Sequence, residues 1–382
     1  MSHFYFLNYA YNPNTAATNR TLAYLKGVSE LNVATNVVFF LTDKRKSKIK
    51  YNYTNVNIEY YWDKWYYINN KYIKHLCYLI FIISFIFRVK SGDTVYMYNM
   101  ADMLHFLLRK KGVKVFVEKT EHPTMYPLGS KTYHPTITQY FKDCSKATGI
   151  ITVSTSLKKL FSENGVKNDK IFIVNMIADD NRFKNVVPQK YANPYFGYCG
   201  TISTFKDGVD ILIKAFREVA ERYSNIDLRI AGTFANKKDE EIIMKLVNDF
   251  NLSNRVIFMG VVPALEMPSF LSGASAVVLS RPDNIQAKNG FPGKLGEYLL
   301  SKSPAIVTAV GDIPLFVKDQ INGLIVKPND VDAFAEKMTW VIEHPNEAKK
   351  IGAKGAELAH QEFNYLTESK KLISFMKLKS NL

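Results

Sequence analysis

The sequence predicts an α/β protein made of two doubly wound, Rossmann-like halves in series. Short apolar runs, typical of buried parallel strands, alternate with stretches of helical spacing. A polar, proline-containing segment at residues 181–194 interrupts this alternation, which then restarts. With 382 residues the chain is also too long for one ordinary hydrophobic core, which favours two domains.

The first half, residues 1–180, is expected to form one domain. Its first strand is followed by a stretch of helical spacing at residues 19–31. The strand-like runs of this half are residues 3–10, 36–42, 94–99, 114–120, 149–154 and 171–176. They are short, apolar and bounded by polar residues, as the strands of a buried parallel sheet are.

The second half, residues 195–365, repeats this pattern. Helices are expected near residues 208–223 and 237–250. The strand-like runs are residues 195–200, 227–232, 255–260, 275–280, 305–309 and 323–327. Two such halves predict a ligand cleft between them, at the carboxyl ends of their strands. Residues 366–382 are expected to form a helix that packs back on the first domain.

The net charge of +15 is concentrated in the first half. Residues 1–180 contain 24 Lys and Arg against 13 Asp and Glu, a net charge of +11, which leaves +4 for the rest. Basic clusters lie at residues 44–50 and 109–114. Such a surface attracts polyanions, either nucleic acid or an anionic membrane, although a solvated surface without a partner has the same composition.

The longest apolar run, residues 76–87, is too short to span a bilayer. Its basic flanks leave two interpretations open, a buried helix or an element at the membrane interface.

Cys77, Cys144 and Cys199 are odd in number and widely spaced, which suits a reducing cytoplasm better than a disulfide scaffold. The amino terminus lacks the pattern of a secretory signal, so a cytoplasmic location is expected.

The loop after the first strand of the second half has the composition of a phosphate site. Gly200 ends the strand, Lys206 follows, and a helix begins near Gly208. Backbone amides at a helix start and a nearby lysine both attract an anion. A plain strand-to-helix turn with a surface lysine is the alternative.

A second loop, NGFPGKLGE at residues 289–297, combines several features of a diphosphate site. Gly290 and Gly293 allow a ligand to approach the backbone closely, and Pro292 suits the first turn of a helix. Lys294 then stands beside the amides of that turn, and Glu297 can accept hydrogen bonds from ribose hydroxyls. A solvent-exposed lysine without a ligand is the simpler alternative.

Together with the loop MGVVP at residues 259–263, these loops resemble glycosyltransferase family 4, a retaining family of the GT-B fold that serves polysaccharide and glycolipid assembly. The resemblance covers residues 195–363 and is strongest over 290–330. In the first half it is weaker and depends on VEKTEHP at residues 117–123. The fold implied is GT-B, two Rossmann-like domains facing across a cleft.

The resemblance also implies roles for individual residues. Lys206 and Lys294 would contact the donor diphosphate, and Glu297 matches the second glutamate of the family's E-x7-E pattern, which binds the donor ribose. His122 and Glu121 would approach the sugar and the acceptor as catalytic or positioning groups. The other implied donor contacts are Gly200, Thr201, Val261, Val262, Gly290, Phe291, Pro292, Gly293 and Leu295, and the acceptor or phosphate loop contains Ala16, Ala17 and Arg20.

Two positions depart from the family pattern. Asn289 stands where E-x7-E has its first glutamate, which contacts the donor sugar, and Thr201 stands where an arginine often precedes Lys206. These changes leave a catalytically inactive relative as an alternative. Activity is the preferred hypothesis because Lys206, Lys294, Glu297 and His122 all remain.

The hypothesis is therefore a retaining transfer of a sugar from a nucleotide diphosphate-sugar to a lipid-linked or oligosaccharide acceptor at the anionic inner membrane face. No partner carboxylate for a double displacement is recognised opposite Glu297, so a front-face mechanism is expected. Asp330 and Asp332 fit helix capping better than a metal site, so no metal or cofactor is expected. The alternatives are a sugar-nucleotide epimerase and, with less support, a nucleic-acid-binding protein, for which no recognition motif is found.

Overall fold

The computed structural model describes residues 3–11, 16–42, 53–62, 70–98, 102–125 and 136–380. The chain forms two compact units, which are described separately. Unit 1 comprises Met1–Ile177 and Tyr365–Leu382, and unit 2 comprises Ala178–Asn364. Each unit is built on its own parallel sheet, which confirms the predicted α/β class with two Rossmann-like halves.

The sheet of unit 1 has the strand order β3-β2-β1-β4-β5-β6-β7, and its pairs are parallel. Its strands are β1 (Phe4–Tyr11), β2 (Thr35–Thr42), β3 (Val56–Trp62), β4 (Thr94–Tyr98), β5 (Lys114–Lys119), β6 (Gly149–Thr152) and β7 (Ile171–Ile173). The order reverses direction at β1, as it does in doubly wound sheets.

The sequence predicts six of these strands and misses β3. Its sequence VNIEYYW contains Asn57, which is exposed, and Glu59, which is partly exposed. β3 lies at the edge of the sheet and pairs only with β2 among the described strands. An edge strand is open on one side and does not need the continuous apolar run by which a central parallel strand is recognised.

Helices cover both faces of this sheet. They are α1 (Ala16–Glu30), α2 (Lys71–Arg88), α3 (Asp102–Lys110), α4 (Ile137–Cys144) and α5 (Thr155–Glu163). On one face, Phe81 and Phe85 of α2 belong to the same core as Val95 of β4. On the other face, Tyr24 of α1 packs with Tyr96, the next residue of β4. Successive residues of one strand thus point to opposite faces and contribute to two separate cores.

The sheet of unit 2 has the order β10-β9-β8-β11-β12-β13. Its strands are β8 (Tyr195–Cys199), β9 (Asp227–Ala231), β10 (Val256–Gly260), β11 (Ala276–Leu279), β12 (Ala305–Thr308) and β13 (Leu324–Val326). The helices are α6 (Thr204–Asp207), α7 (Val209–Arg222), α8 (Lys237–Asp249), α9 (Met267–Gly273), α10 (Ile285–Asn289), α11 (Leu295–Leu300), α12 (Ile313–Phe316), α13 (Val331–Glu343) and α14 (Pro345–Glu362). The order reverses at β8, so the loop after β8 lies at the position where doubly wound folds bind ligands.

The last helix, α15 (Tyr365–Ser380), belongs to unit 1. It packs along α1, where the Tyr365 hydroxyl donates to Glu30 over 2.7 Å. Further along, the ring of Phe375 stacks on Phe172 with 4.8 Å between centroids. The chain thus returns to the first sheet after it has completed the second.

The polar segment at residues 181–194, expected as a linker, lies within unit 2. The Ala178 amide donates to the Phe363 carbonyl over 2.8 Å, and the Gln189 amide donates to the Ser269 carbonyl over 2.9 Å. The first bond lies just before the segment and the second lies within it, and both are made inside unit 2. In the described parts of the chain, no helix is both long and apolar enough to cross a membrane.

Candidate functional site

The loop after β8 requires a glycine at position 200. Gly200 has a φ of +144°, which residues with a side chain rarely adopt. A Cβ atom at this position would lie 2.1 Å from the Nζ atom of Lys294, so the lysine side chain fills the space that the glycine leaves. Thr201 is exposed, and Lys206 lies partly buried on the short helix α6. The structure therefore brings the first and second predicted loops together.

Lys294 belongs to a buried charged cluster. Its Nζ atom donates to Oδ2 of Asp207 over 2.7 Å and to the Tyr198 hydroxyl over 3.1 Å. A second cation, Arg281, lies 3.8 Å from the same carboxylate, and the side chains of Asp207 and Arg281 are 3% and 4% exposed. Burial alone would raise the pKa of Asp207, but Lys294 and Arg281 hold that pKa below its usual value. Two cations thus share one buried carboxylate.

Sequence reasoning finds Lys294 but misses both of its charged neighbours. Asp207 lies three residues before Asp210, which forms a separate ion pair with Lys214 over 3.3 Å. Arg281 comes shortly after the end of β11, and a basic residue at a strand end was the signal that could have identified it.

The second loop connects α10 to α11. The Gly290 amide donates to the Gln286 carbonyl over 2.8 Å, and the Leu295 amide donates to the Pro292 carbonyl over 3.0 Å. Two of the amides expected to contact a diphosphate are therefore engaged within the loop in this conformation. The ring of Phe291 packs edge-on against Phe316, with 5.7 Å between centroids, and helps to fix the loop on unit 2.

Asn289, the first departure from the family pattern, ends α10. Its side-chain amide donates to the Ile285 carbonyl of the same helix over 2.9 Å. A glutamate has no proton to donate there when ionised, so the residue that the family pattern expects could not make this bond. The asparagine at this position thus makes a hydrogen bond within α10 that a glutamate would not make.

Glu297, the predicted ribose ligand, lies on α11 and is paired with Arg182. Nη1 of Arg182 donates to Oε1 of Glu297, and Nη2 donates to the Ala264 carbonyl over 2.6 Å. The arginine thus links the carboxylate to the loop after β10, which contains Val261 and Val262, two of the implied donor contacts. Val261 is 55% exposed.

Arg182 is a residue that the sequence reasoning missed. It lies in the polar segment after unit 1, separated by 115 positions from Glu297. Neither helical periodicity nor the family motif marks an arginine in such a segment. Only the folded chain places its guanidinium on the carboxylate.

In unit 1, His122 follows β5 and begins a short turn. Its Nδ1 atom lies 2.7 Å from the Thr124 hydroxyl, and the Thr124 amide donates to the same nitrogen over 3.3 Å. A nitrogen that accepts from an amide carries no proton, which assigns the proton of the neutral ring to Nε2. Burial lowers the pKa of His122, so the neutral ring is favoured. Glu121 beside it is partly buried.

Arg20 lies on α1 in unit 1 and is held by buried groups. Its Nε atom lies 2.5 Å from Oε1 of Glu118, its Nη2 donates to the Val174 carbonyl over 2.6 Å, and the Tyr96 hydroxyl donates to the other oxygen of Glu118. Burial opposes the charge, but the Glu118 carboxylate raises the pKa of Arg20 above its usual value. Arg20 is thus engaged in the fold of unit 1, and its phosphate contact stays a prediction.

The remaining positions of the predicted phosphate loop are described only in part. Residues 12–15 lie outside the described residues, and Ala16 and Ala17 open α1. Within the described ranges, no cluster of three or more His, Cys, Asp or Glu could hold a metal ion. Independence from a metal also stays a prediction.

A known family matches the part of the chain that contains this site. A sequence profile of the family "Glycosyl transferases group 1" matches residues 179–358, which include Asp207, Lys294 and Glu297. The chain is 26% identical over 162 residues to the trehalose synthase of Pyrococcus horikoshii, a match that covers 41% of this chain and 37% of that protein. It is 25% identical over 175 residues to the GDP-mannose-dependent α-(1-6)-phosphatidylinositol monomannoside mannosyltransferase of Mycolicibacterium smegmatis, covering 45% and 44% of the two chains.

Similarity to solved structures extends over the whole chain. The structure of Anabaena Alr3699/HepE in complex with UDP-glucose superimposes with a TM-score of 0.75 at 15% identity, and the match covers 99% of this chain and 100% of that one. The chain thus spans less than half the length of the curated relatives named above, but nearly all of this structural relative. The second unit therefore matches the glycosyl transferases group 1 family over nearly its whole length, and the two units of the protein have the GT-B fold.

Proposed function

We propose that the protein is a retaining, metal-independent glycosyltransferase that moves a sugar, of the hexosyl or N-acetylhexosaminyl type, from a nucleotide diphosphate-sugar. The observation that carries this proposal is the pair of cations, Lys294 and Arg281, around Asp207, the last residue of the short helix that follows β8. With Lys206 nearby in sequence, the cluster holds more positive than negative charge. A diphosphate supplies the missing negative charge.

The same cations suit the chemistry of the transfer. When the bond between the sugar and the phosphate breaks, negative charge develops on the departing diphosphate. Lysine and arginine side chains already held in place stabilise that charge without a metal. In a front-face mechanism the departing phosphate oxygen takes the proton of the acceptor hydroxyl, while His122 and Glu121 act as positioning groups.

The relatives suggest which donors to test first. Anabaena HepE is described in complex with UDP-glucose, and the Mycolicibacterium relative is GDP-mannose-dependent. Sugars linked to UDP are the first candidates here and sugars linked to GDP the second. The mannosyltransferase acts on a phosphatidylinositol mannoside, which supports a lipid-linked acceptor in surface polysaccharide or glycolipid assembly. The net charge of +11 over residues 1–180 fits a location at an anionic inner membrane face.

A thermal-shift screen of the purified protein against UDP-, GDP-, dTDP- and ADP-sugars tests the proposal. A ligand that binds only the folded state at ten times its Kd adds about 1.4 kcal/mol to the free energy of unfolding. One nucleotide should raise the melting temperature, and the matching sugar should then be transferred to lipid extracts in the presence of EDTA. A flat screen contradicts donor binding, and loss of turnover with EDTA contradicts metal independence.

A donor-binding protein without activity is a second candidate, and Asn289 and Thr201 favour it. Both positions depart from the family pattern in the part of the site that contacts the sugar and phosphate. This candidate predicts a clear thermal shift without turnover on any lipid or saccharide acceptor. Conversion of a nucleotide-sugar without any acceptor would instead indicate an epimerase.

A further inference from the structure

Helix α2 of unit 1 has an exposed apolar face. Seven of its large apolar side chains are at least 39% exposed, and Phe87 reaches 81%. They are Tyr72, Ile73, Leu76, Leu79, Ile80, Ile83 and Phe87. At 3.6 residues per turn these positions fall within an arc of about 120°. The helix thus presents one continuous apolar stripe to its surroundings, over a length of about 23 Å.

The opposite face of α2 holds the helix in the core of unit 1. Phe81 and Phe85 are 1% exposed and pack with the aromatic rings of the sheet. The ring of Phe81 lies 5.1 Å from that of Phe40, and the ring of Phe85 lies 5.5 Å from that of Tyr5. Asn70 caps the first turn by accepting from the Tyr72 amide over 2.9 Å. The apolar stripe is therefore presented by a helix whose position is already fixed.

The charges around this stripe are basic. Residues 70–92 contain Lys71, Lys74, Arg88 and Lys90 and no aspartate or glutamate. The lysines lie toward both ends of α2, and Lys90 is exposed. Arg88 is partly neutralised by its ion pair with Glu59. The charge pattern is thus an apolar centre with cationic ends.

We propose that this face of α2 docks into the interface of an anionic lipid bilayer. Its apolar side chains would enter the boundary between headgroups and acyl chains, and the positive charge at its two ends would favour an anionic lipid surface. A second copy of this chain fits less well. A two-fold contact through α2 would bring one cationic end against another, whether the helices run parallel or antiparallel.

The interpretation of this docking rests on the proposed function, because a surface-bound transferase would meet a lipid-linked acceptor there. The docking itself does not depend on that function. Binding to vesicles and binding of nucleotide-sugar are therefore measured separately, and each can fail alone.

The test is flotation of the purified full chain with vesicles of equal parts phosphatidylcholine and phosphatidylglycerol. The protein should float with these vesicles and much less with phosphatidylcholine alone. The double variant Ile83→Glu, Phe87→Glu should bind the anionic vesicles at least about tenfold more weakly. The variant Leu265→Glu, Leu378→Glu is the matched control, since it adds the same charge at positions that are 93% and 73% exposed elsewhere, and it should change binding less than about twofold.

A further double variant, Ile83→Ser, Phe87→Ser, separates apolar insertion from charge. It should also lose binding, because it removes apolar surface without adding negative charge. Equal loss in the control pair, or full binding by the serine variant, overturns the proposal. A different result would also overturn it: the parent protein does not bind vesicles, and light scattering gives a dimer for the parent but a monomer for the α2 variants. In that case a second copy of the chain covers the apolar face of α2. An unchanged melting temperature of the variants shows that unit 1 remains folded.

Discussion

Each unit of the protein contains a buried carboxylate with cationic partners, but the two clusters are balanced differently. In unit 1, Glu118 is fully buried and shares its charge with Arg20, whose side chain is 11% exposed. In unit 2, Asp207 has two cations, Lys294 and Arg281, within 4 Å, and Lys294 is 16% exposed. The first cluster is neutral and enclosed, whereas the second keeps a positive excess at a strand end.

Under the proposed function, the first cluster stabilises the fold and the second binds the donor. In a neutral buried ion pair each charge is balanced by the other, so removing one member leaves the other as a buried charge without a counter-ion. A cluster with an excess of one sign is stable only where solvent or a ligand supplies the remainder. Unit 2 is also the part that matches the family profile, so charge balance and sequence similarity indicate the same unit.

The largest effect is expected when the enclosed cluster of unit 1 is broken. Glu118→Gln leaves the guanidinium of Arg20 buried without its counter-ion and should lower the free energy of unfolding by about 3–5 kcal/mol. Urea unfolding measures this loss. Glu163→Gln is the control, because that side chain is 59% exposed and should change stability little. A loss below about 1 kcal/mol would show that water reaches Arg20 and that the cluster is not enclosed.

Removing Lys294 from the charged cluster of unit 2 should lower turnover more than it lowers folding stability. Lys294→Ala should lower turnover about 10²–10³-fold, because it removes a charge aimed at the departing diphosphate. Steady-state kinetics with the donor found in the screen measure the loss. Lys245→Ala, at a side chain that is 74% exposed, controls for the change in net charge. Equal activity of both variants would remove Lys294 from the site.

The contrast between the two clusters also shows what the sequence could predict. Apart from β3, the strands of both sheets were recognisable because most are continuous apolar runs, and Lys294 and Glu297 stood in a motif. Asp207 and Arg182 were not recognisable, since their partners lie 87 and 115 positions away in sequence. The face of α2 exposed to solvent was also ambiguous, because an apolar run does not reveal which side packs on the sheet.

The loss of folding stability of unit 2 at low pH should depend on Asp207. Because its pKa is lowered in the folded state, its stabilising effect is fully present above the unfolded pKa of about 3.9 and is lost as the pH falls through the lower folded value. Asp207→Asn should therefore cost about 2 kcal/mol at neutral pH and progressively less below pH 4. The loss is expected to be smaller than for Glu118→Gln, because Lys294 can turn toward solvent. A difference between variant and parent that is independent of pH contradicts this account.

A smaller effect is expected at the pair formed by Arg182 and Glu297. Oε1 of Glu297 accepts from Arg182, which leaves the other oxygen to accept from a ribose hydroxyl. Arg182→Ala should weaken donor binding about tenfold, because the carboxylate loses its orientation. Calorimetry of Arg182→Ala, Glu297→Gln and the double variant measures the coupling between them. Additive losses would mean that Arg182 does not act through Glu297.

The smallest effect is expected at Asn289, where the site departs from its family. Asn289→Glu breaks one partly exposed hydrogen bond to Ile285, so it should cost no more than about 1 kcal/mol of stability. The new carboxylate would stand where the family pattern contacts the sugar, and not the diphosphate. Affinity for the free nucleoside diphosphate should therefore stay within about twofold, while relative turnover of different donor sugars shifts by less than about tenfold. A large gain in turnover with every donor would instead show that Asn289 keeps the natural protein inactive, and the second candidate function would then replace the first.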